Sequence, residues 1–147
     1  ILHMYGGAIV LGAVMNDSGA ATWLSQRTIG RWATTPVLAT WLISGLSIVL
    51  TELLSNSAVV ALLMPVTLGM CDHLMMEPRV MALVVAVPAG LGFTLPIGTP
   101  SNAIAYSSGY LTVRDMMVPG AILAVSSWLT FNVVASFVWP VLGITLG

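Results

Sequence analysis

The sequence predicts an all-α membrane protein, with transmembrane helices, one re-entrant helical hairpin and one discontinuous helix. Three observations predict it. Of 147 residues, 58% are hydrophobic and 6% charged, and the mean hydropathy is +1.01. Soluble domains carry about 25% charged residues, so this chain has too few charges to cover a water-facing surface. Second, a polar cluster running from Thr51 to Ser57 (TELLSNS) stands midway along the apolar stretch 36–71. Third, IGTPSN, from Ile97 to Asn102, interrupts a second apolar stretch. Polar atoms in hydrocarbon cost several kcal/mol each unless satisfied, so both breaks call for a purpose.

Composition also removes whole classes of function. The net charge is −1, there is no lysine, and the cations are Arg27, Arg31, Arg79 and Arg114. That balance implies no nucleic-acid or polybasic lipid partner. Cys71 is the single cysteine, and His3 and His73 are isolated. No intramolecular disulfide can form, and one thiol with two scattered imidazoles makes no zinc site.

Taken in order, residues 1–16 form an apolar helix too short to span about 30 Å unless upstream residues complete it. The opening Ile1 reads as a chain picked up inside a helix. Residues 17–35 hold Asp17, Arg27 and Arg31 with Trp23 and Trp32 beside them. Aromatic rings next to cations suit the headgroup level, so this stretch is expected to be interfacial. Pro36 suits the first turn of a new helix.

Residues 36–71 contain one formal charge, Glu52. Each flank of the polar cluster is about 15 residues, or about 22 Å as helix, short of a full span. The stretch therefore reads as a re-entrant hairpin with its tip buried in protein or facing a water-filled cavity. Two ordinary spanning helices joined by a loop at 51–57 are the alternative, and the arm lengths argue against them. Residues 71–79 are a polar connection. Residues 80–109 are expected to be one helix broken at Gly98 and Pro100, with Ser101 or Asn102 capping a second half that starts near Asn102. Arg114 and Asp115 return to the interface, and residues 118–146 form a last transmembrane helix.

Two helices that begin inside a bilayer aim free N–H groups and partial positive charge at whatever lies before them. N-termini near Ser57 and Asn102 make an anion site without arginine. Carbonyls freed around 51–54 and 95–98 suit a hard cation such as sodium. Such discontinuous helices are a recurring device of secondary transporters. No nucleophile–base pair and no phosphate-binding glycine loop occurs, so an enzyme is not expected. Small residues such as Gly6, Gly7, Gly12, Ser44 and Gly45 suit close helix packing.

The segment TELLSNSAVVALLMPV resembles the second Ser-Asn-Thr signature of the divalent anion/sodium symporter family, the INDY-like dicarboxylate transporters. LPIGTPSNAIAYSSGYLTVRDMMVPG is similar to the matching unwound helix. YGGAIVLGAVMNDSGAATWL resembles the helix that begins the family's C-terminal half, and VWPVLGITLG its last helix. The resemblance implies half of an inverted-repeat transporter, the C-terminal repeat, over residues 1–147. The N-terminal repeat, with its own hairpin and first sodium site, lies outside this sequence.

It further implies that Ser55, Asn56 and Ser57 contact a substrate carboxylate, and that Thr99, Pro100, Ser101 and Asn102 line the other break. Sodium, a coupling ion and no prosthetic group, would be held by Thr51, Leu54, Asn56 and Gly98, the leucine and glycine through their carbonyls. Asn56 would touch both. Two departures stand out: Ser57 replaces a threonine, which widens the pocket by a methyl, and Ser101 replaces a proline, which adds a donor. Glu52 is either a proton-coupling carboxylate, since intramembrane acids are often functional, or a hydrogen-bonded support for the tip; its place beside the signature favours support.

The expected function is sodium-coupled, alternating-access transport of a C4-dicarboxylate or related anion: succinate, malate, fumarate, citrate or sulfate. The expected partners are the bilayer, the N-terminal repeat and a second protomer, in a bacterial inner membrane or plasma membrane. The alternatives are a proton-coupled or exchange transporter of the same superfamily, an arsenite antiporter, a channel, and a membrane subunit with no transport of its own.

Overall fold

The structure, a computed structural model, describes Val10, Val14, residues 17–20, Trp23, residues 35–141 and residues 143–144. The partial helix expected over 1–16 and the interfacial stretch over 17–35 lie almost wholly outside the described residues.

Among the described residues the chain is helical, with no strand. Helix α1, Pro36–Thr51, starts where Thr35 accepts the N–H of Leu38 (3.3 Å) and Pro36 fills the first turn. It closes where the N–H groups of Leu53 and Leu54 both return to the Leu50 carbonyl (3.0 and 2.9 Å). Ser55 is extended, accepts the N–H of Ala58 (3.3 Å) and caps α2, Asn56–Leu68. Helix α3, Cys71–Leu74, is one turn inside the polar connection and ends at Met75 in the left-handed region (φ 53°). Helix α4, Pro78–Ala89, ends at Gly90, and residues 90–99 are non-helical.

Helix α5 is Pro100–Ser107, and its cap is Thr99, which accepts the N–H of Asn102 (3.2 Å). The second half thus starts two residues before the expected Asn102. Pro100, with no N–H to lose, takes the first helical position, so the cap moves back to the threonine before it. Helix α6, Val113–Val133, opens with a reciprocal cap: Thr112 Oγ1 accepts the N–H of Asp115 (3.3 Å), and Asp115 Oδ2 accepts the N–H of Thr112 (2.9 Å). It runs on through a π-helical stretch, Val134–Val138, into α7, Trp139–Val141. The last helix therefore starts five residues earlier than expected. A capped Arg114–Asp115 pair belongs to its first turn.

Helices α1, α2 and α4 pack together, and α6 packs on α1. Their shared core is Ala39, Ile43, Val59, Leu63, Val80, Met81, Val84, Val85 and Ala89. Thr51 and Ala89, the last residues of α1 and α4, meet through a hydrogen bond, so both helices end at one level. Helix α6 runs antiparallel to α1: Asn132 meets Ser44, and Gly120 passes the backbone of Phe93 and Thr94. A Cβ at Gly120 would collide with the Phe93 carbonyl and lie 2.7 Å from Thr94 Cα, so only glycine lets α6 approach this closely.

Length separates the elements. Helices α1, α2 and α4 have 16, 13 and 12 residues, or about 24, 20 and 18 Å. None spans about 30 Å alone. The continuous helix Val113–Val141, with 29 residues, is long and apolar enough to do so.

Candidate functional site

The two breaks expected from the sequence come together at one level of the bundle. The first is residues 52–55, between α1 and α2. The second is residues 90–99, between α4 and α5. Glu52 joins them. Its Oε1 accepts the N–H of Phe93 (3.2 Å) and of Thr94 (3.1 Å); its Oε2 accepts the N–H of Thr94 (3.0 Å) and of Leu95 (2.9 Å). Three successive N–H groups freed by the end of α4 form a concave anion cradle. The chain's own carboxylate fills it. Charge-assisted bonds of this kind are about twice as strong as neutral ones.

Thr51, fully buried, holds the next contact. Its Oγ1 lies 2.6 Å from the Ala89 carbonyl and 2.8 Å from Asn56 Oδ1. A hydroxyl has one proton, and a carbonyl can only accept. The Thr51 proton is therefore shared between two acceptors, the Ala89 carbonyl and Asn56 Oδ1. The Thr51 carbonyl lies 3.7 Å from where a Cβ of Gly98 would stand, and Glu52 Oε2 equally close. Thr51, Glu52, Asn56 and Gly98 therefore form one cluster.

In the second break, Asn102 Nδ2 donates to the Leu95 carbonyl (3.0 Å), which also accepts the Gly98 N–H (3.1 Å). That carbonyl, counted from the sequence among the cation-facing groups, is thus already doubly engaged. Asn56, Ser57, Thr99 and Asn102 are half-buried, while Leu54, Ser55, Pro100 and Ser101 are exposed. Ser55 and Thr99 serve as caps, so their hydroxyl oxygens already hold backbone N–H groups.

A cleft of about 370 Å³ opens nearby, between α1 and α6. Apart from Glu52 and Thr94 its walls are apolar side chains such as Ile48, Val49, Ala124 and Val125. It lacks the donors an anion needs. Sequence reading missed three supports of the site: the cradle that receives Glu52, the close pass at Gly120, and a buried polar cluster of Ser44, Trp128 and Asn132. Only the last carried a signal, a lone asparagine in the apolar run LTFNVVASFVW.

Two helix breaks brought together, each followed by a helix N-terminus, in a chain this apolar, are the mark of a membrane transport protein. The chain belongs to the citrate transporter family, which matches residues 1–146, in keeping with the symporter resemblance of its motifs. It is 36% identical over 127 residues, 86% of its length, to an uncharacterized transporter of Methanocaldococcus jannaschii. It is 29% identical over 147 residues to the sodium-dependent dicarboxylate transporter SdcS of Staphylococcus aureus, covering 99% of this chain and 28% of that one. It is 32% identical over 132 residues, 90% of this chain and 22% of the relative, to solute carrier family 13 member 2 of Mus musculus. The chain thus spans between about a fifth and three tenths of the length of these relatives. The family and the relatives are transporters, not enzymes, and membership makes this an integral membrane protein.

Proposed function

We propose that this chain is the C-terminal repeat of a secondary transporter that carries a C4-dicarboxylate or related divalent anion, coupled to sodium, by alternating access. The observation that carries the reading is the Glu52 brace, which makes the hairpin tip and the broken helix one unit. Around it stand the groups that both solutes need. Asn56 and Ser57 begin α2 and Ser101 is in the first turn of α5, and first-turn N–H groups favour a carboxylate. Ser55, Asn56 and Ser57 on one side, and Thr99, Pro100, Ser101 and Asn102 on the other, face the anion. The Thr51, Leu54 and Gly98 carbonyls and Asn56 Oδ1, an amide oxygen with a second lone pair beyond its bond from Thr51, supply hard oxygens for sodium. Asn56 then serves both, which couples the two binding events.

Sodium is favoured over a proton because the acid at the site, Glu52, has both oxygens engaged by backbone N–H groups. The names of the staphylococcal relatives, sodium-dependent dicarboxylate transporters, support the same choice. Helices α1 and α2 form the re-entrant hairpin, each too short to span, and they travel with the broken helix against a scaffold supplied by the rest of the protein. The N-terminal repeat completes the cage, a second protomer completes the assembly, and the membrane is a bacterial inner membrane or a plasma membrane.

The test is uptake of labelled succinate, citrate and sulfate by the full-length protein in proteoliposomes, under a sodium gradient or a proton gradient. Saturable uptake of a dicarboxylate driven by sodium is expected. Uptake driven by protons alone would move the reading to the proton-coupled alternative; linear, non-saturating flux would make the protein a channel.

A further inference from the structure

Asn132 is polar, fully buried and far from the two breaks in sequence. Its Nδ2 donates to Ser44 Oγ (3.0 Å) and to the Trp128 carbonyl (2.9 Å), which uses both of its amide protons. Ser44, also fully buried, accepts a second bond from Trp128 Nε1 (3.0 Å), and its one proton is shared between the Trp41 carbonyl (3.2 Å) and Asn132 Oδ1 (3.4 Å). Every donor in this cluster is in use. A buried network with every donor engaged resists slippage, because a shift leaves a polar group unpaired.

The cluster sits where packing alone would leave α1 loose against α6. Between it and the hairpin tip, α1 and α6 are separated by the 370 Å³ cleft. In a bilayer, apolar contact gives helices little reason to hold one register, and interhelical hydrogen bonds and close contacts between small residues set it. Here the Trp128 ring stands against Gly45, 3.4 Å from where a Cβ would be, and edge-on to Trp41 at 5.2 Å. Helix α1 is thus pinned to α6 at Ser44 and to the second break at Glu52, eight residues apart or about 12 Å along the axis.

We propose that Asn132 is a positioning residue for the ion site: through Ser44 it sets the slide and rotation of α1, and so where Thr51 and Glu52 stand. It touches neither solute. The inference rests on the sodium-coupled reading above. A helix is stiff over two turns, so releasing the Ser44 pin displaces Thr51 while leaving the other ligands in place.

The experiment uses the full-length protein in proteoliposomes with Asn132→Leu, Ser44→Ala and the double variant, uptake being normalised to inserted protein. Thermal unfolding is followed with sodium alone. The expected result is a rise of about 3- to 15-fold in the sodium half-saturation for Asn132→Leu, the range such bonds reach in membranes. Maximal uptake should stay within about twofold, and the double variant should be no worse than the single. An unchanged half-saturation, with only the unfolding temperature lowered, would overturn the proposal. Should Asn132→Leu fail to insert, Trp128→Phe removes one donor and is read the same way. If wild-type uptake needs no sodium, the coupling reading has failed on its own. The dicarboxylate KM of the same variants then decides, a rise supporting the positioning role and no change refuting it.

Discussion

At the scale of single residues, the site is organised by proton counting. Thr51 has one proton for two acceptors, the Ala89 carbonyl and Asn56 Oδ1, which ties the ends of α1 and α4 to the start of α2. Glu52 has two oxygens for three N–H groups, which fixes where residues 93–95 lie. Glu52→Gln keeps the shape but replaces one oxygen with a donor that faces other donors. The expected loss is about 1.5–3 kcal/mol, the range for hydrogen bonds to a charged group, seen as a lower unfolding temperature in detergent. Weaker binding of sodium and anion together should accompany it, since the brace ties both breaks. A stability equal to wild type would show that the cradle does not depend on the charge. That Glu52 mattered was legible from its place in an apolar run. Its partners were not, since they stand 41–43 residues away and backbone N–H groups have no sequence signature.

At the scale of elements, arm length carries the argument. The polar cluster and the Gly-Pro break located both interruptions from sequence, because charge, proline and small polar residues act locally on the backbone. The capping residues were harder. Ser101 and Asn102 are good caps by type, but Pro100 pre-empts the first helical position and hands the cap to Thr99. Likewise Thr112 and Asp115 carry the three-residue spacing of a reciprocal cap, yet the charges there read as an interface. The hairpin assignment predicts an accessibility pattern. Leu53→Cys, with Cys71→Ala to remove the native thiol, should react with a small maleimide. It should resist a bulky polyethylene-glycol maleimide, and sodium plus dicarboxylate should protect it. Full labelling by the bulky reagent, with no protection, would instead make residues 51–57 an exposed loop between two spanning helices.

At the scale of the molecule, α1, α2, α4 and α6 surround a small apolar core, and the polar breaks gather at one level of it. Composition predicted a membrane protein, and the apolar stretches with their two breaks predicted its helices. The apposition of the breaks needed three dimensions, as did the pin at Asn132, because one asparagine in an apolar stretch does not say which helix it meets. Family membership and the relatives' greater length agree with a chain that contributes part of a larger transporter. The central claim is that Asn56 serves both solutes at the tip. It is tested most directly by sodium-driven succinate uptake in the full-length protein carrying Asn56→Ala. The account predicts that this variant inserts normally but loses uptake and the stabilisation that sodium gives. Sodium-driven uptake at the wild-type rate and half-saturation would contradict it.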